Sequence, residues 1–359
     1  MLNWQFAVVD HVTLTVKKIL TPTGISITRR LGNAFSEITL DERTDTDASL
    51  ELKVGSRSIA AYRNAALRFY GQIADPLTLS ARKWNVHAVD PRYFLAYRML
   101  QGEYDFVGDA SQAAWALVDA QNTRKSLYLR QGQLQPAVTV AVAFADQRPV
   151  ADCHGDLAGL NDGIWIRVDP VDGVPGIIGD FHSFYTGPST TRVPSPKAPA
   201  RASARFEHGD GTLGNITEDG WTVTYGLPMN RVVASGPNTG AADIPAIAID
   251  NTSILNHGIL VEQAISLADS IDATTLQQQA DNQLSPDGPV TYSITPIPGD
   301  DTNRVPRPWD DFDVGDIVPL RIKDGNVDLN ANVRVMEFTV QPADDAKTEQ
   351  LTNLVLATV

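Results

Sequence analysis

The sequence predicts a mainly β protein with short helices, an α+β fold divided into several domains. Short β-type segments, separated by Gly, Pro, Asn or Asp, fill the beginning and the end of the chain. Helical periodicity is confined to stretches between them. With 43% hydrophobic and 20% charged residues over 359 positions, the chain can bury a sizeable core. A chain of this length is expected to form about two to four subdomains.

The N-terminal part is predicted to form a β-barrel or a β-sandwich. Its strand candidates are 6–9, 11–16, 35–40, 67–73 and 82–89. In the second of these, apolar residues alternate with polar ones, so we expect one buried face and one exposed face. Regular short strands with turn residues between them are typical of barrels and sandwiches.

The middle of the chain begins with the first clear helix, 109–123. Apolar side chains follow an i, i+1, i+4, i+5 pattern from Ala113, and either Asp109 or Ser111 can cap the N-terminus. Segment 137–145 is an apolar run that predicts a buried strand. Beyond it the chain becomes rich in Gly and Asp.

Segment 186–205 is predicted to be an extended connector, because it contains four prolines and six Ser or Thr residues. We therefore expect three regions. Residues 1–100 form an N-terminal β domain, and 101–200 form a mixed α/β domain that ends in the connector. Residues 201–359 form C-terminal β domains, either separate from the middle domain or interleaved with it.

The C-terminal part is predicted to contain one helical segment among strands. The strand candidates are 221–225, 231–234, 317–323, 326–332, 333–340 and 349–359. Asp324-Gly325 between two of them is a strong hairpin signal. The helical segment is 258–284, in which apolar residues recur every four positions from Leu276, after the candidate N-cap Asp272.

Charge and cysteine content exclude several classes of protein. The formal net charge of -14 and the pI of about 4.8 oppose stable binding to phosphate backbones. We expect no membrane anchor and no signal peptide, since neither a long apolar run nor a basic leader is found, and we expect synthesis in a cytoplasm. Cys153 is the single cysteine, so the chain cannot form an internal disulfide.

Three short segments have the residue types of ligand sites, and each has a simpler interpretation. Segment 152–156 contains Cys, His and two Asp residues, but it lacks the four-ligand spacing of structural zinc, so a polar surface turn is expected. The Asp-rich segment 310–316 lacks EF-hand spacing, so a solvated loop is expected rather than calcium. Segment 209–214 is Gly-rich, but no Gly-Lys-Ser/Thr follows. We predict no metal and no cofactor.

No sequence pattern indicates catalysis. His-Glu-x-x-His and Gly-x-Ser-x-Gly are both absent from the sequence, and we predict no catalytic residue. The histidines are scattered, and each is expected to be structural or exposed. They are His11, His87, His154, His182, His208 and His257. We therefore predict that the protein is not an enzyme.

A collinear series of short motifs resembles the minor tail or baseplate hub proteins of long-tailed, siphovirus-type bacteriophages of Gram-positive hosts, especially high-GC hosts. In order, the motifs are 38–40, 60–63, 68–73, 84–91, 93–98, 205–207, 214–216, 230–236, 308–310, 314–316 and 334–340. In that family a strand ends in an Asp, here Asp90, and leads to an apolar helix that closes the first barrel.

This resemblance implies a structural hub with tail-tube-like β-barrels at the N- and C-terminal ends. Two barrels per subunit would give a homotrimer six barrels, so that a sixfold tube could join a threefold tip. The implied partners are the distal tail ring, the tape-measure protein and a tail-tip or central fibre protein, with DNA only in transit. The implied location is the virion tail tip, after assembly in the host cytoplasm.

A second hypothesis is a receptor- or carbohydrate-binding tail module. Five aromatic residues are candidates for stacking on sugars, although aromatic residues more often pack in cores or interfaces. They are Trp165, Phe181, Phe184, Tyr185 and Trp221. Glycan binding by the isolated protein would favour this alternative.

Overall fold

The computed structural model describes residues 3–159, 163–171, 182–189, 204–209, 214–236, 245–266, 273–298, 305–343 and 348–358. Strands are the main element and the helices are short, so the predicted fold class is confirmed. The helices are η1 (Asp47–Glu51, a 3-10 turn), α1 (Arg92–Leu95), α2 (Ala110–Arg124), α3 (Val150–Ala158), α4 (Asn251–His257) and α5 (Ala273–Gln283).

The strands are numbered along the chain. The N-terminal part has β1 (Trp4–Asp10), β2 (Val16–Leu20), β3 (Thr23–Arg30), β4 (Glu37–Arg43), β5 (Arg57–Arg63), β6 (Ala66–Ile73), β7 (Thr78–Ser80) and β8 (Lys83–Val89). The middle has β9 (Tyr104–Asp109), β10 (Leu129–Leu134), β11 (Thr139–Phe144), β12 (Ile164–Pro170) and β13 (His182–Pro188). The C-terminal part has β14 (Phe206–Gly209), β15 (Ile216–Tyr225), β16 (Arg231–Ser235), β17 (Ala246–Ile249), β18 (Glu262–Ser266), β19 (Val290–Pro296), β20 (Ile317–Asp324), β21 (Val327–Pro342) and β22 (Glu349–Thr358).

One large sheet joins the two ends of the chain. Its order is β15-β19-β22-β21-β3-β4-β8-β6-β5-β1-β2, while β7 pairs with β8, β20 pairs with β21, and β14 pairs with β20. The N-terminal and C-terminal strands meet where β3 pairs with β21, in the register Ile27 opposite Val340 and Arg30 opposite Glu337. The strands from both ends therefore share one hydrogen-bonded ladder.

The main core is also built from both ends of the chain. Phe6 and Ile38 from the N-terminal strands belong to the same buried cluster as Phe338 and Leu354 from the C-terminal strands. A fully buried side chain of this size stabilises a fold by roughly 1.5–3 kcal/mol. Burial of this shared core therefore holds the two ends together in addition to the strand pairing.

The middle of the chain forms a separate core beside the large sheet. Helices α2 and α3 pack on the three-stranded sheet β10-β13-β12, and Leu117, Leu157 and Phe184 are fully buried between them. The predicted helix 109–123 is confirmed as α2. Its N-cap is Asp109, whose carboxylate accepts hydrogen bonds from the N–H groups of Ser111 and Gln112.

A small satellite unit lies in the C-terminal part. Its sheet has the order β17-β16-β18, and α5 covers one face through Leu276 and Ala280. The predicted continuous helical segment 258–284 is wrong here. Gly258, with φ 66°, ends α4 in a left-handed conformation, and the chain then forms strand β18 before α5 begins. Leu276 and Ala280 do face the core as predicted, whereas Asp272 lies outside the described residues.

The predicted strand 11–16 is wrong, because a turn occupies most of it. The Asp10 carboxylate accepts hydrogen bonds from the N–H groups of Val12 and Thr13, at 3.1 and 2.9 Å, which closes an Asx-type turn. Leu14 has φ 56°, and β2 begins at Val16. Val12 is 69% exposed, so alternation of apolar residues did not indicate a strand in this segment.

Other strand predictions differ from the structure in extent. The candidates 326–332 and 333–340 are parts of one strand, β21, and the hairpin at Asp324-Gly325 is confirmed. Segment 137–145 contains strand β11, but Thr139 and Ala141 in it are exposed. The predicted connector begins too early, because β13 extends to Pro188, and positions 190–203 lie outside the described residues.

Candidate functional site: the seam between the two ends of the chain

The candidate functional site is the seam, defined as the β3–β21 pairing and three clusters of charged side chains that bridge the N- and C-terminal parts. The seam residues are far apart in sequence. Arg30 and Glu337 are separated by 307 positions, Arg63 and Glu349 by 286. Most of the arginines lie on the N-terminal strands, with Arg167 on β12 of the middle part, and most of their carboxylate partners lie on C-terminal strands or loops. The seam therefore forms only when both ends have folded together.

The first cluster is buried and contains two arginines and two aspartates. Arg29 on β3 lies 2.6 Å from Asp169, and Arg167 lies 2.5 Å from Asp169 and 3.3 Å from Asp313, between nitrogen and oxygen atoms. Burial pushes the pKa of Asp169 upward, but Arg167 and Arg29 outweigh it and hold that pKa below its usual range. The cluster ties β3 to the middle sheet and to the loop before β20.

The second cluster is centred on Arg63, at the end of β5. Its guanidinium donates two hydrogen bonds to the Glu349 carboxylate, at 3.0 and 2.6 Å, and one to Asp310 at 2.7 Å. The Trp4 indole also donates to Glu349, and Arg68 also pairs with Asp310. The Arg63 side chain is 1% exposed, so water cannot replace these partners.

The third cluster is half-buried and lies on the paired strands themselves. Arg30 donates to Glu37 and to Glu337, each at 2.7 Å, and His87 lies 2.8 Å from Glu37. The hydrogen bond from His87, together with Arg30, lowers the pKa of Glu37 to about 2, although burial opposes this. The carboxylate therefore stays ionised over the ordinary pH range and keeps β3, β4 and β21 in register.

Predicted loop 310–316 belongs to the seam, and its interpretation as a solvated loop is wrong. Asp310 pairs with Arg63, Asp311 pairs with Arg307, and Asp313 and Asp316 are buried. The carboxylates accept hydrogen bonds from arginines and backbone N–H groups. They therefore act as anchors between parts of the protein.

Segment 152–156 is also different from its prediction as a polar surface turn. It lies within helix α3, where Cys153 and His154 are buried. His154 donates from Nε2 to the carbonyl of Ala114 at 3.0 Å, and burial lowers its pKa to about 4. The amphipathic spacing of Val150, Cys153 and Leu157 placed this segment in the core. In segment 209–214, residues 210–213 lie outside the described residues.

Three of the other histidines are dispersed and engaged in local contacts, and His257, at the end of α4, is exposed. His11 lies 2.8 Å from the Ser58 hydroxyl, His182 donates to the carbonyl of Tyr70, and the His208 ring lies 6.3 Å from that of Trp221. Among the described residues, no group of three or more His, Cys, Asp or Glu side chains is arranged to hold a metal ion.

A cavity with a volume of about 320 Å³ lies between the N-terminal strands and the middle part. His11, Tyr70, Tyr128 and His182 are among its lining residues, and no carboxylate is among the described ones. Burial, together with the neighbouring His182, lowers the pKa of His11 to about 4. Two neutral imidazoles without an acid partner do not make an acid–base pair.

The aromatic candidates for sugar stacking are mostly core residues. Trp165 and Phe184 are 4% and 0% exposed, and Tyr185 and Trp221 are half-buried against the main core. Phe181 lies outside the described residues. The described candidates therefore do not form an open aromatic platform.

Sequence analysis missed the seam, although several motifs of the phage resemblance contribute to it. Arg63 is the last residue of motif 60–63, and Asp310 is the last residue of motif 308–310. In the structure the Arg63 guanidinium donates a hydrogen bond to the Asp310 carboxylate. The missed signal is a charged residue inside an apolar strand, as with Arg167 between Ile166 and Val168. A charge there must be paired when it is buried.

The protein has the fold of bacteriophage-type tail proteins over nearly its whole length. It is similar to the 43 kDa tail protein of prophage MuSo2 from Shewanella oneidensis, with a TM-score of 0.59, 12% identity, and coverage of 99% of this chain and 98% of that one. It is also similar to the tail protein from Neisseria meningitidis MC58, with a TM-score of 0.58, 14% identity, and coverage of 99% of this chain and 96% of that one. For prophage tail protein gp18 from Listeria monocytogenes EGD-e the TM-score is 0.56 and the identity 11%, with coverage of 99% of this chain and 94% of that one.

No protein-family model and no curated protein sequence matches the chain. The fold is therefore visible in the structure at a level of sequence identity where sequence comparison does not detect it. In the described part of the chain, no helix is long and apolar enough to cross a membrane.

Proposed function

We propose that the protein is a structural subunit of a phage tail. Copies of it form the hub ring of the tail tip or baseplate. The observation that carries this proposal is the fold likeness over almost the full length of this chain and of the three tail proteins. A likeness that included one domain only would be compatible with many functions. This one includes the N-terminal, middle and C-terminal parts together.

The seam suits a subunit that must hold two β modules, its N-terminal and C-terminal β parts, at a fixed angle. A threefold ring made of such subunits presents six modules, which is the number that a sixfold tube requires. A small change of angle within each subunit would prevent ring closure. The buried charged clusters oppose such a change, because separating the modules would leave Arg63 and Glu349 without partners.

The charge of the protein is compatible with a conduit for DNA. Three copies would carry a formal charge of 3 × -14, or -42. Clustered Lys and Arg in the bore would bind phosphates and slow the passage of DNA, whereas an acidic or neutral wall would not. The proposed bore is therefore acidic or neutral. A map of the assembled ring tests this, and a continuous basic stripe along the bore would contradict the conduit.

The proposed partners follow from the proposed position. They are the distal tail ring above, the end of the tape-measure protein inside, and a tail-tip or central fibre protein below. The proposed role is structural and not catalytic, and the location is the virion tail tip, after assembly in the host cytoplasm.

Deletion of the gene tests the proposal. We expect phage that lack this protein to produce no infectious particles, with tail assembly arrested before full-length tails appear in electron micrographs. Wild-type protein supplied in trans is the control and should restore them. Full-length infectious tails from the deletion strain would refute the hub function. A stable hexamer, or a monomer within assembled tails, would refute the threefold ring.

A further inference from the structure

The cavity between the N-terminal strands and the middle part has the features of a small-molecule site. We call it the histidine pocket, and His11, Tyr70, Tyr128 and His182 are among the residues that line it. Its volume of about 320 Å³ lies within the range of roughly 300–1,000 Å³ that is typical of ligand pockets. It reaches the surface, since Tyr97 in its lining is 67% exposed. Ligand pockets combine apolar walls with a few polar groups that fix the orientation of the ligand.

The inner end of the pocket contains two buried polar atoms without a partner. His182 and Tyr70 are 3% and 5% exposed, and their ring centroids are 5.2 Å apart. Neither Nδ1 of His182 nor the hydroxyl of Tyr70 has a hydrogen-bond partner among the described residues. The Tyr70 hydroxyl lies near Ser58, but without the geometry of a hydrogen bond to it. Buried polar groups are nearly always hydrogen-bonded, so two such atoms in one cavity indicate that another molecule supplies their partner.

The tautomer of His182 determines which ligand group can bind at the inner end. Its Nε2 lies 2.8 Å from the backbone carbonyl oxygen of Tyr70. A carbonyl can only accept, so the proton is on Nε2 and Nδ1 carries a lone pair. Burial lowers the pKa of His182, which keeps the ring neutral. A carboxylate has no proton to donate to Nδ1 at neutral pH. A hydroxyl group can donate to Nδ1 and also accept from the Tyr70 hydroxyl.

The outer end of the pocket is cationic. Arg98 and Lys125 belong to the lining, where Arg98 is half-buried and Lys125 is exposed. Within the described residues, neither side chain forms an ion pair. The carboxylates that act electrostatically on the pocket histidines each have an arginine partner. These pairs are Asp10 with Arg57, Asp90 with Arg92, and Asp169 with Arg167. The two cations at the mouth therefore favour an anionic group on the ligand.

The rest of the lining is largely apolar or aromatic. It includes Val89, Phe94, Tyr97, Leu127 and Tyr128. The Tyr128 ring packs edge-on against that of His11, with centroids 4.8 Å apart and planes inclined by 77°. Aromatic walls bury flat rings well, in stacked or edge-to-face contact. The body of the ligand is therefore expected to be an aromatic ring.

We propose that the histidine pocket binds a hydroxyaryl anion, a small aromatic molecule with a phenolic hydroxyl at one end and a carboxylate at the other. The hydroxyl donates to Nδ1 of His182 and accepts from the hydroxyl of Tyr70. The carboxylate pairs with Arg98 and Lys125, and the ring lies against the aromatic wall. This inference goes beyond the proposed hub function and does not depend on it, because the pocket lies within one copy of the chain.

The test is a ligand-observed NMR titration of the purified full chain at neutral pH, with para-hydroxyphenylacetate as the probe. We expect saturable binding with a dissociation constant on the order of 1 mM or lower, which is the affinity range of such a small ligand. Two analogues each lack one end of the probe. Phenylacetate lacks the hydroxyl and para-cresol lacks the carboxylate, and each should bind about tenfold more weakly, because it leaves polar groups of the pocket unpaired.

Two variants assign the binding to the pocket. Tyr70→Phe removes a hydroxyl that has no hydrogen-bond partner among the described residues, so the unfolding midpoint should not fall. This variant should bind para-hydroxyphenylacetate about threefold more weakly and phenylacetate as the wild type does. Arg98→Gln/Lys125→Gln should bind both acids about tenfold more weakly and leave binding of para-cresol unchanged.

The matched control is Arg43→Gln/Lys83→Gln, which removes one arginine and one lysine charge at exposed side chains outside the pocket lining. It should bind all three compounds as the wild type does. Absence of saturable binding of para-hydroxyphenylacetate up to about 10 mM would overturn the proposal. Equal affinity for the three compounds, or pocket variants that bind like the control, would overturn it as well. Each of these results leaves the hub function standing, because the gene deletion tests that separately.

Discussion

Replacing Arg63 by methionine removes the guanidinium that binds Glu349 and Asp310 across the seam. Methionine has similar length and no charge, so the change removes the ion pairs with little loss of packing. Asp310 is 31% exposed and keeps Arg68, whereas the Glu349 side chain is 9% exposed and keeps only the Trp4 indole among the contacts described above. The cost of the substitution therefore falls mainly on Glu349.

The expected loss in the free energy of unfolding is about 3–5 kcal/mol, the range for removal of one member of a buried ion pair. Protonation of Glu349 limits this loss. Burial already raises the pKa of Glu349 while Arg63 opposes the rise, so without Arg63 the carboxyl takes up a proton more readily. The destabilisation should consequently be smaller at pH 5 than at pH 8.

Chemical denaturation at both pH values measures this effect. The double variant Arg63→Met/Glu349→Gln should recover about 2 kcal/mol relative to the sum of the single losses, because neither group is then left charged and unpaired. Arg43→Met is the control, since the Arg43–Asp45 pair is more than 60% exposed and its loss should leave the unfolding midpoint unchanged. Equal losses for Arg63 and Arg43, or strictly additive losses in the double variant, would refute the reasoning.

Three further predictions concern single residues. Gly71→Ala should cost about 1–3 kcal/mol in denaturant unfolding, because a Cβ there would lie 2.6 Å from the Val89 carbonyl oxygen; an unchanged midpoint would contradict this. Asp109→Ala should cost about 1–2 kcal/mol by thermal unfolding, and Asp109→Asn less, because the carboxylate caps α2; equal losses would argue against the cap. His154, with a pKa lowered to about 4 from 6.5, contributes stability that is complete above pH 6.5 and lost as the pH falls toward 4, by about 3 kcal/mol in all. His154→Gln should flatten the stability profile between these pH values, and an unchanged slope would show that the histidine is not the group responsible.

Local signals in the sequence were sufficient for several elements. The 109–123 helix was predicted because its apolar face, its cap and its length all agreed, and these depend only on residues close in the chain. The Asp324-Gly325 hairpin was predicted for the same reason. Segment 258–284 was misinterpreted because its first part follows the end of α4 at Gly258 and forms strand β18, so only its last part, α5, fits the helical pattern.

The seam could not be derived from local patterns, because its partners are hundreds of residues apart. The sequence around an aspartate in segment 310–316 is the same whether its carboxylate faces water or accepts a hydrogen bond from Arg63. The resemblance to phage tail proteins brought the relevant motifs together in order, but it did not assign contacts between them. Asp310 and Arg63 acquired a role only when the structure placed them 2.7 Å apart.

The sequence by itself determined the mainly β class, the principal helix, the terminal hairpin and the net charge of -14. Each of these depends on composition or on neighbours within a few positions along the chain. The tertiary structure alone decided that the two ends share one sheet and one core, and which charges are buried between them. Pairing of β3 with β21 is a contact between distant segments, and its free energy depends on burial and register, which no local pattern encodes.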